Sequence, residues 1–231
     1  MGNKKLIIAI IVVVLLIAGI VGGYLYLQNG SKQAEILQEE AKKIAETDIL
    51  KDEIDMQIKA GGQYGKVEET VKNYLNDVRN TYLEVKSYCN DEEISKILSA
   101  ENIEQDSKEL SVVNQKIDNL SQKLEDIKTK TEKIADENNI LDAIKEKDLK
   151  SNYVDVYKNI MLNEAIQAKL TQVKQEIEQE IEQAWKKIEN LEQTVNFLKD
   201  NAKYWNLNGD KIQFTNVNKL AEYYELLNNN K

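Results

Sequence analysis

The hydrophobic pattern begins with one long apolar block near the start of the chain. The 22 consecutive positions 6–27 carry no charge and directly follow Lys4 and Lys5. A helix of that length reaches about 33 Å, enough to cross a hydrocarbon layer about 30 Å thick. The pattern therefore predicts a transmembrane helix at 6–27, after a short cytoplasmic tail at 1–5. A cleaved signal peptide is the alternative, but its apolar region usually has only about 7 to 15 residues.

From residue 31 onward, apolar residues recur at steps of three and four, the period of an amphipathic helix. One such stripe runs to about Lys59, a glycine-rich turn follows at 61–65, and a second stripe runs from Val67 to Cys89. Because each stripe needs a partner surface, we expect the two helices to pack together. With a short connector, this first helical hairpin occupies 31–98.

The longest regular pattern lies within 99–205. Its apolar residues follow steps of three and four over more than five heptads until the phase is lost at 148–152, and a second run then continues to Trp205. A repeat sustained over this length is typical of a coiled-coil seam. Folding back at the break predicts a long antiparallel hairpin in which Leu120 lies near Ile177.

Two details of the long hairpin follow from the same pattern. Leu141 should lie opposite Val156, close to the break. Polar residues also fall on the predicted seam, where a buried polar side chain can fix the register at a cost in stability. They are Asp106, Thr131 and Asn138.

The last segment, 206–231, differs from the rest. Asn208 and Gly209 indicate a turn, residues 211–214 suit an extended conformation, and Thr215 can cap a short final helix. The chain has no proline and nine glycines, too little turn chemistry for a β domain. The sequence predicts an all-α fold, with a single N-terminal transmembrane helix followed by an elongated antiparallel helical-hairpin and coiled-coil bundle.

Charge predicts on which side of the membrane this bundle lies. Basic residues next to a span tend to remain in the cytoplasm. Lys4 and Lys5 adjoin one end of the span, whereas the first basic residue beyond the other end is Lys32. We therefore expect an extracytoplasmic C-terminal region, with the reversed orientation as the alternative. The net charge of −9 disfavours nucleic-acid partners.

The chain lacks histidine, the commonest base near neutral pH and a frequent zinc ligand. Neighbouring carboxylates remain at 39–40, 68–69 and 91–93. A catalytic acid needs a carboxylate buried enough to raise its pKa, and these pairs are expected on wet helix faces. We expect no catalytic residue, cofactor or metal site, and no enzyme activity. The single cysteine, Cys89, falls on an apolar stripe and should be a buried thiol.

Small residues inside the predicted span form a GxxxG pattern. Such residues allow two membrane helices to pack closely, so a homodimer is one expected assembly. The residues concerned are Ala18, Gly19, Gly22 and Gly23.

Aromatic residues gather near the C-terminal end of the long hairpin. Rings with polar tips are common in binding hot spots, and they also close the open end of a helical bundle. The sequence leaves both a partner surface and a structural cap open. The residues concerned are Tyr204, Trp205, Phe214, Tyr223 and Tyr224.

An anchor, a helical rod and the lack of a reactive cluster favour a structural or interaction protein. We expect a single-pass, extracytoplasmic adaptor or scaffold of the bacterial envelope, held in the lipid bilayer through 6–27 and binding an unidentified protein partner. The abundance of Asn, Lys, Ile and Glu is typical of low-GC bacteria. The alternatives are a sensory or ligand-binding bundle that works through a partner and, in the reversed orientation, a cytoplasm-facing membrane scaffold.

Overall fold

The computed structural model describes residues 32–89, 94, 96–105, 108–145 and 147–228. This part of the chain is mostly helical, as predicted. Its helices are α1 (Lys32–Glu46), α2 (Gly62–Tyr88), α3 (Ala100–Glu104), α4 (Ser111–Glu132), α5 (Glu137–Lys145), α6 (Ser151–Met161), α7 (Glu164–Asp200) and α8 (Val217–Asn228). Strands β1 (Trp205–Asn208) and β2 (Lys211–Phe214) form a two-stranded sheet.

None of the helices in the described ranges is long and apolar enough to span a bilayer. The predicted transmembrane helix at 6–27 lies outside those ranges.

The described chain divides into two compact units. The first contains residues 32–82 and 130–176, and the second contains 83–129 and 177–228. Helices α2, α4 and α7 contribute residues to both.

In the first unit, α1 and α2 run in the same direction. The Gln33 side chain accepts a hydrogen bond from the backbone N–H of Gly61, just before α2. Seven residues further along α1, Glu40 contacts Lys72 of α2. The chain between these two helices must therefore return along the length of α1.

That returning segment corrects the first predicted helix, which ends at Glu46 rather than near Lys59. The Asp48 carboxylate accepts a hydrogen bond from the backbone N–H of Leu50 at 3.2 Å and starts a turn. Residues 47–60 are non-helical. Their apolar spacing resembled a helical stripe, but contacts with other elements determine their conformation.

The long hairpin is also more interrupted than predicted. The Asp136 carboxylate accepts from the backbone N–H of Asn139 at 2.8 Å, so that α5 begins separately from α4. Asn163 does the same for Ala165 at 2.8 Å, so that α7 begins separately from α6. These side chains are N-caps placed inside runs that otherwise keep a helical period.

Close to the fold-back, the pairing follows the prediction. The Tyr157 hydroxyl donates to the carbonyl of Ile140 at 2.9 Å, one residue from the predicted pair of Leu141 and Val156. Helices α5 and α6 are therefore antiparallel neighbours.

In the second unit the predicted register is wrong. The Lys108 ammonium, just before α4, donates to the carbonyl of Ala202, just after α7. Towards the other end of α4, the Lys174 ammonium of α7 donates to the carbonyl of Glu132 at 3.4 Å, so the two helices are antiparallel. Interpolation between these two contacts sets Leu120 about level with residues 187–190 and well away from Ile177. The prediction assumed two continuous helices of matching length. It failed because each is interrupted, at the starts of α5 and α7. Leu120 and Ile177 are both buried, as a seam requires.

The polar seam residues behave differently from one another. Thr131 is buried, whereas Asn138 is exposed in the first turn of α5. Ile140 and Ile144 form the buried face of that helix instead. Asn138 is therefore not a seam residue, because the new helix start changes the phase of the pattern. Asp106 lies outside the described residues.

The C-terminal segment departs from a purely α-helical fold. Trp205 pairs with Phe214 in an antiparallel hairpin, and its two-residue turn contains Gly209 at φ +61°. The predicted turn and extended segment are confirmed, but a strand replaces the predicted end of the long helix. The cap of α8 is Asn216, not Thr215, because the Asn216 side chain accepts from the first backbone N–H groups of the helix.

Candidate functional site

Three of the least exposed charged side chains meet in the first unit. Lys72 is 1% exposed, Glu68 0% and Glu40 3%. The Lys72 ammonium lies 2.6 Å from Glu68 Oε1 and 3.0 Å from Glu40 Oε2. It also donates to the carbonyl oxygen of Gln57 at 2.7 Å. Each of its three protons therefore has an acceptor.

Glu68 connects this cluster to the main chain of the returning segment. Its carboxylate accepts from the backbone N–H of Lys59 at 3.0 Å and from that of Ala60 at 2.8 Å. These bonds supply partners for polar backbone groups that a helix or sheet would otherwise satisfy. The cluster thus joins α1, the segment before α2, and α2 itself.

Glu40 remains ionised in this site. Burial alone would raise the pKa of its carboxyl, but hydrogen bonds from Lys43, Lys72 and Lys59 outweigh burial and lower the pKa from 4.5 to about 2. A general acid or base near neutral pH requires a shift in the opposite direction. Glu40 is therefore an anion that holds lysines in place.

The placement of Glu40 and Glu68 corrects the expectation that the paired carboxylates lie on wet faces. Their neighbours Glu39 and Glu69 are exposed and half-buried, and residues 91–93 lie outside the described part. The overlooked signal is the i, i+4 pairing of Glu68 with Lys72 inside a buried stripe of α2. An opposite charge one turn away lets both side chains enter the core.

A second set of lysines binds the carbonyl ends of helices. The Lys169 ammonium donates to the backbone oxygens of Ile44, Ala45 and Thr47, at the C-terminal end of α1. Burial lowers the pKa of Lys169, and the Asp48 carboxylate partly offsets this effect. A cation is favourable at this position because the last carbonyls of a helix lack intrahelical donors.

The predicted aromatic cluster separates into a buried part and an exposed part. Trp205 is 1% exposed, its indole N–H donates to the carbonyl of Leu198 at 2.7 Å, and the Lys108 ammonium lies 5.1 Å from its ring centroid. Trp205 therefore belongs to the core and cannot supply a partner surface. Tyr204 binds Thr215 through its backbone carbonyl, and the Lys203 ammonium lies over its ring.

The remaining rings form a layer beneath α8. Phe214 lies 5.2 Å from Tyr223 and 6.2 Å from Phe197, measured between ring centroids. Outside this layer, Tyr224 is 55% exposed and Val217 is 79% exposed. None of the α8 side chains described, from 217 to 227, is buried. We call the exposed side of this helix, with Val217 and Tyr224, the α8 surface.

A shallow cleft of about 260 Å³ in the first unit lies beside Tyr74, with Lys130 and Lys133 on its rim. The Tyr74 hydroxyl is already engaged there. It donates towards the carbonyl of Ile134 at 3.0 Å and accepts from the Asn139 amide at 3.0 Å. This tyrosine fills the break between α4 and α5, so its polar group has a structural role.

Other predicted features have simpler outcomes. Cys89 is a buried thiol, as predicted, and burial raises its pKa to about 11. Its Sγ donates to the carbonyl of Glu180 at 3.4 Å. Within the described ranges, no group of three or more His, Cys, Asp or Glu side chains could hold a metal ion. The small residues Ala18, Gly19, Gly22 and Gly23 lie outside those ranges.

Comparison with known proteins found no match to a family model, a curated protein or a solved structure.

The buried cluster predicts a large effect for Lys72→Met. Removal of the ammonium leaves Glu68 in the core without its paired cation and Glu40 with only Lys43 and Lys59, which should lower the free energy of unfolding by about 3–5 kcal/mol. Lys43→Met is the matched control, because Lys43 also binds Glu40 but is 61% exposed, and it should cost under about 1 kcal/mol. Urea unfolding followed by circular dichroism measures both, and equal losses would contradict the cluster's role.

Glu40 predicts a specific pH dependence. Because its pKa is lowered in the folded protein, its contribution to the free energy of unfolding is present above pH 4.5 and is lost as the pH falls towards about 2. Glu40→Gln should flatten the stability profile within that window. Glu39→Gln, on the exposed neighbour, should retain the wild-type slope. Urea titrations at a series of pH values test this, and an unchanged slope in Glu40→Gln would refute it.

Proposed function

We propose that this protein is a membrane-anchored, extracytoplasmic adaptor or scaffold of the bacterial envelope that binds a protein partner through the α8 surface. The anchor in this proposal is the predicted span at 6–27. The observation that carries the proposal is the exposure of large apolar side chains on a helix supported from beneath by packed rings. Val217 and Tyr224 are the most exposed large hydrophobic residues of the described chain.

The chemistry of the α8 surface suits a protein partner. An exposed apolar patch on a folded protein commonly marks an interaction site, and tyrosine binds with little loss of conformational entropy. The ring layer beneath it, with Phe214 and Tyr223, keeps the helix in place without covering its outer side. Lys219 and Glu222 pair with each other at 2.6 Å on the same helix. Hydrophobic contact would therefore dominate binding there.

The arrangement of charges further supports a structural role. Lys72, Glu68 and Glu40 bind one another and the main chain, and Lys169 binds the end of α1. These groups hold helices and a non-helical segment together. Within the first unit, these charged groups therefore serve packing, which a structural role requires.

The α8 surface predicts a site-specific crosslink. A photoreactive phenylalanine analogue in place of Tyr224 should crosslink to a discrete partner in intact cells, because this side chain is exposed at the centre of the proposed surface. The same analogue in place of Glu125, an exposed α4 residue of the same unit, is the control. The mass of the adduct distinguishes a different protein from a second copy of this chain. Identical products at both positions, or none at Tyr224, would reject this surface.

The anchor predicts the outcome of limited proteolysis. Protease added to intact protoplasts should degrade the region beyond Asn29, because the basic residues Lys4 and Lys5 favour an inner amino terminus. A known cytoplasmic protein in the same sample should remain intact as the control. Protection until lysis would instead support the cytoplasm-facing scaffold.

A further inference from the structure

One end of the first unit collects the starts of several helices. Helices α1 and α2 run parallel, and the bond between Gln33 and Gly61 places both N-termini together. Ile58 is at the same end, since its Cγ2 atom would lie 3.5 Å from a Cβ atom added at Gly65. The Ile58 side chain is 38% exposed.

The turn between α5 and α6 lies at this end as well. The Lys66 ammonium, in the second turn of α2, donates to the carbonyl of Lys147 at 3.2 Å. The rings of Tyr64 and Tyr153 meet edge to face at 4.9 Å between centroids. Residues 32–33, 61–66 and 147–153 therefore form one surface with Ile58, which we call the basal surface.

The basal surface differs in charge from the chain as a whole. Its segments contain four lysines and one aspartate, in a chain whose net charge is −9. The lysines are Lys32, Lys66, Lys147 and Lys150, and the aspartate is Asp148. Glu69 binds Lys147 from the next turn of α2, and Glu35 lies in the first turn of α1. The surface remains net positive when both carboxylates are included.

The short segment between the predicted span and α1 limits how far from the membrane the basal surface can lie. The predicted span ends at Leu27, and α1 starts at Lys32. Five residues reach at most about 18 Å even when fully extended. The N-terminal end of α1, and everything beside it, is consequently tethered close to the membrane that holds the span.

We infer that the basal surface lies on the lipid headgroups of the membrane that carries the protein's own anchor. Lys32 and Lys150 bind anionic phosphate groups, and Ile58 contacts the interface between headgroups and acyl chains. This arrangement combines basic side chains with an apolar residue, as interfacial protein surfaces do. The inference rests on the proposed anchor and adds a second membrane contact, which would hold the first unit against the bilayer.

Fluorescence quenching in vesicles tests this contact with the full-length chain. A thiol-reactive dye on Ser151→Cys reports on the basal surface. The same dye on Lys51→Cys is the control, because Lys51 is exposed beyond the far end of α1, about 20 Å away. Cys89 is buried and does not compete for the dye. The vesicles contain phosphatidylcholine with or without phosphatidylglycerol, and a lipid with a spin-labelled headgroup is the quencher.

We expect stronger quenching at Ser151→Cys than at Lys51→Cys, with a larger difference in vesicles containing phosphatidylglycerol. Adding Lys32→Gln and Lys150→Gln should lower the equilibrium constant for contact by about fivefold for each lysine removed.

The possible failures are distinguishable. A chain that does not float with the vesicles would refute the anchor and this inference together. A chain that floats but shows equal quenching at both dye positions would refute the basal contact and leave the anchor standing. If quenching at Ser151→Cys is the same with and without phosphatidylglycerol, and the same after the lysine substitutions, the proposed binding of lysines to anionic headgroups is wrong.

Discussion

The first unit depends on one constraint: the Lys72 ammonium must keep all of its acceptors. Glu68, Glu40 and the carbonyl of Gln57 surround it in the core. Removing charges from water costs several kcal/mol per ion unless their partners are complete. The constraint extends to the main chain, because Glu68 also binds the backbone N–H groups of residues 59–60. Helix packing and the path of a non-helical segment are therefore determined together.

Lysines also bind the C-terminal ends of three helices in the described chain. Helices often end with a glycine in the left-handed conformation, which lets the N–H groups that follow the helix bond to its last free carbonyls. In the described ranges, positive φ angles at glycine occur only at Gly62 and Gly209, neither of which follows a helix. Instead, a lysine from a neighbouring element binds the terminal carbonyls of α1, α2 and α4. These are Lys169, Lys187 and Lys174. The helix ends are thus tertiary contacts, each linking two elements.

This dependence on tertiary contacts separates what the sequence could predict from what it could not. Helical periodicity identified most of the buried seam residues, although not Asn138 or the register, because burial of one helix face follows from spacing alone. The helix breaks were not predictable in this way, since Asp136 and Asn163 act as caps within runs that keep an apolar period. Trp205 shows the same limit for the candidate site. Its residue type suited a partner surface equally well, and only the bond to Leu198 and its burial assign it to the core.

The α8 surface and the basal surface present different chemistry to their surroundings. Tyr224 and Val217 offer apolar contact on a helix where Lys219 and Glu222 pair with each other, which favours another protein. Lys32 and Lys150 add positive charge in a chain that is acidic overall, which favours an anionic surface. A protein partner would bury the apolar area of the α8 surface, whereas anionic headgroups would attract the lysines of the basal surface. The two surfaces would therefore bind different partners. The adaptor proposed above would require this division, which rests on two exposed apolar residues of α8 and on lysines at the start of α1 and before α6.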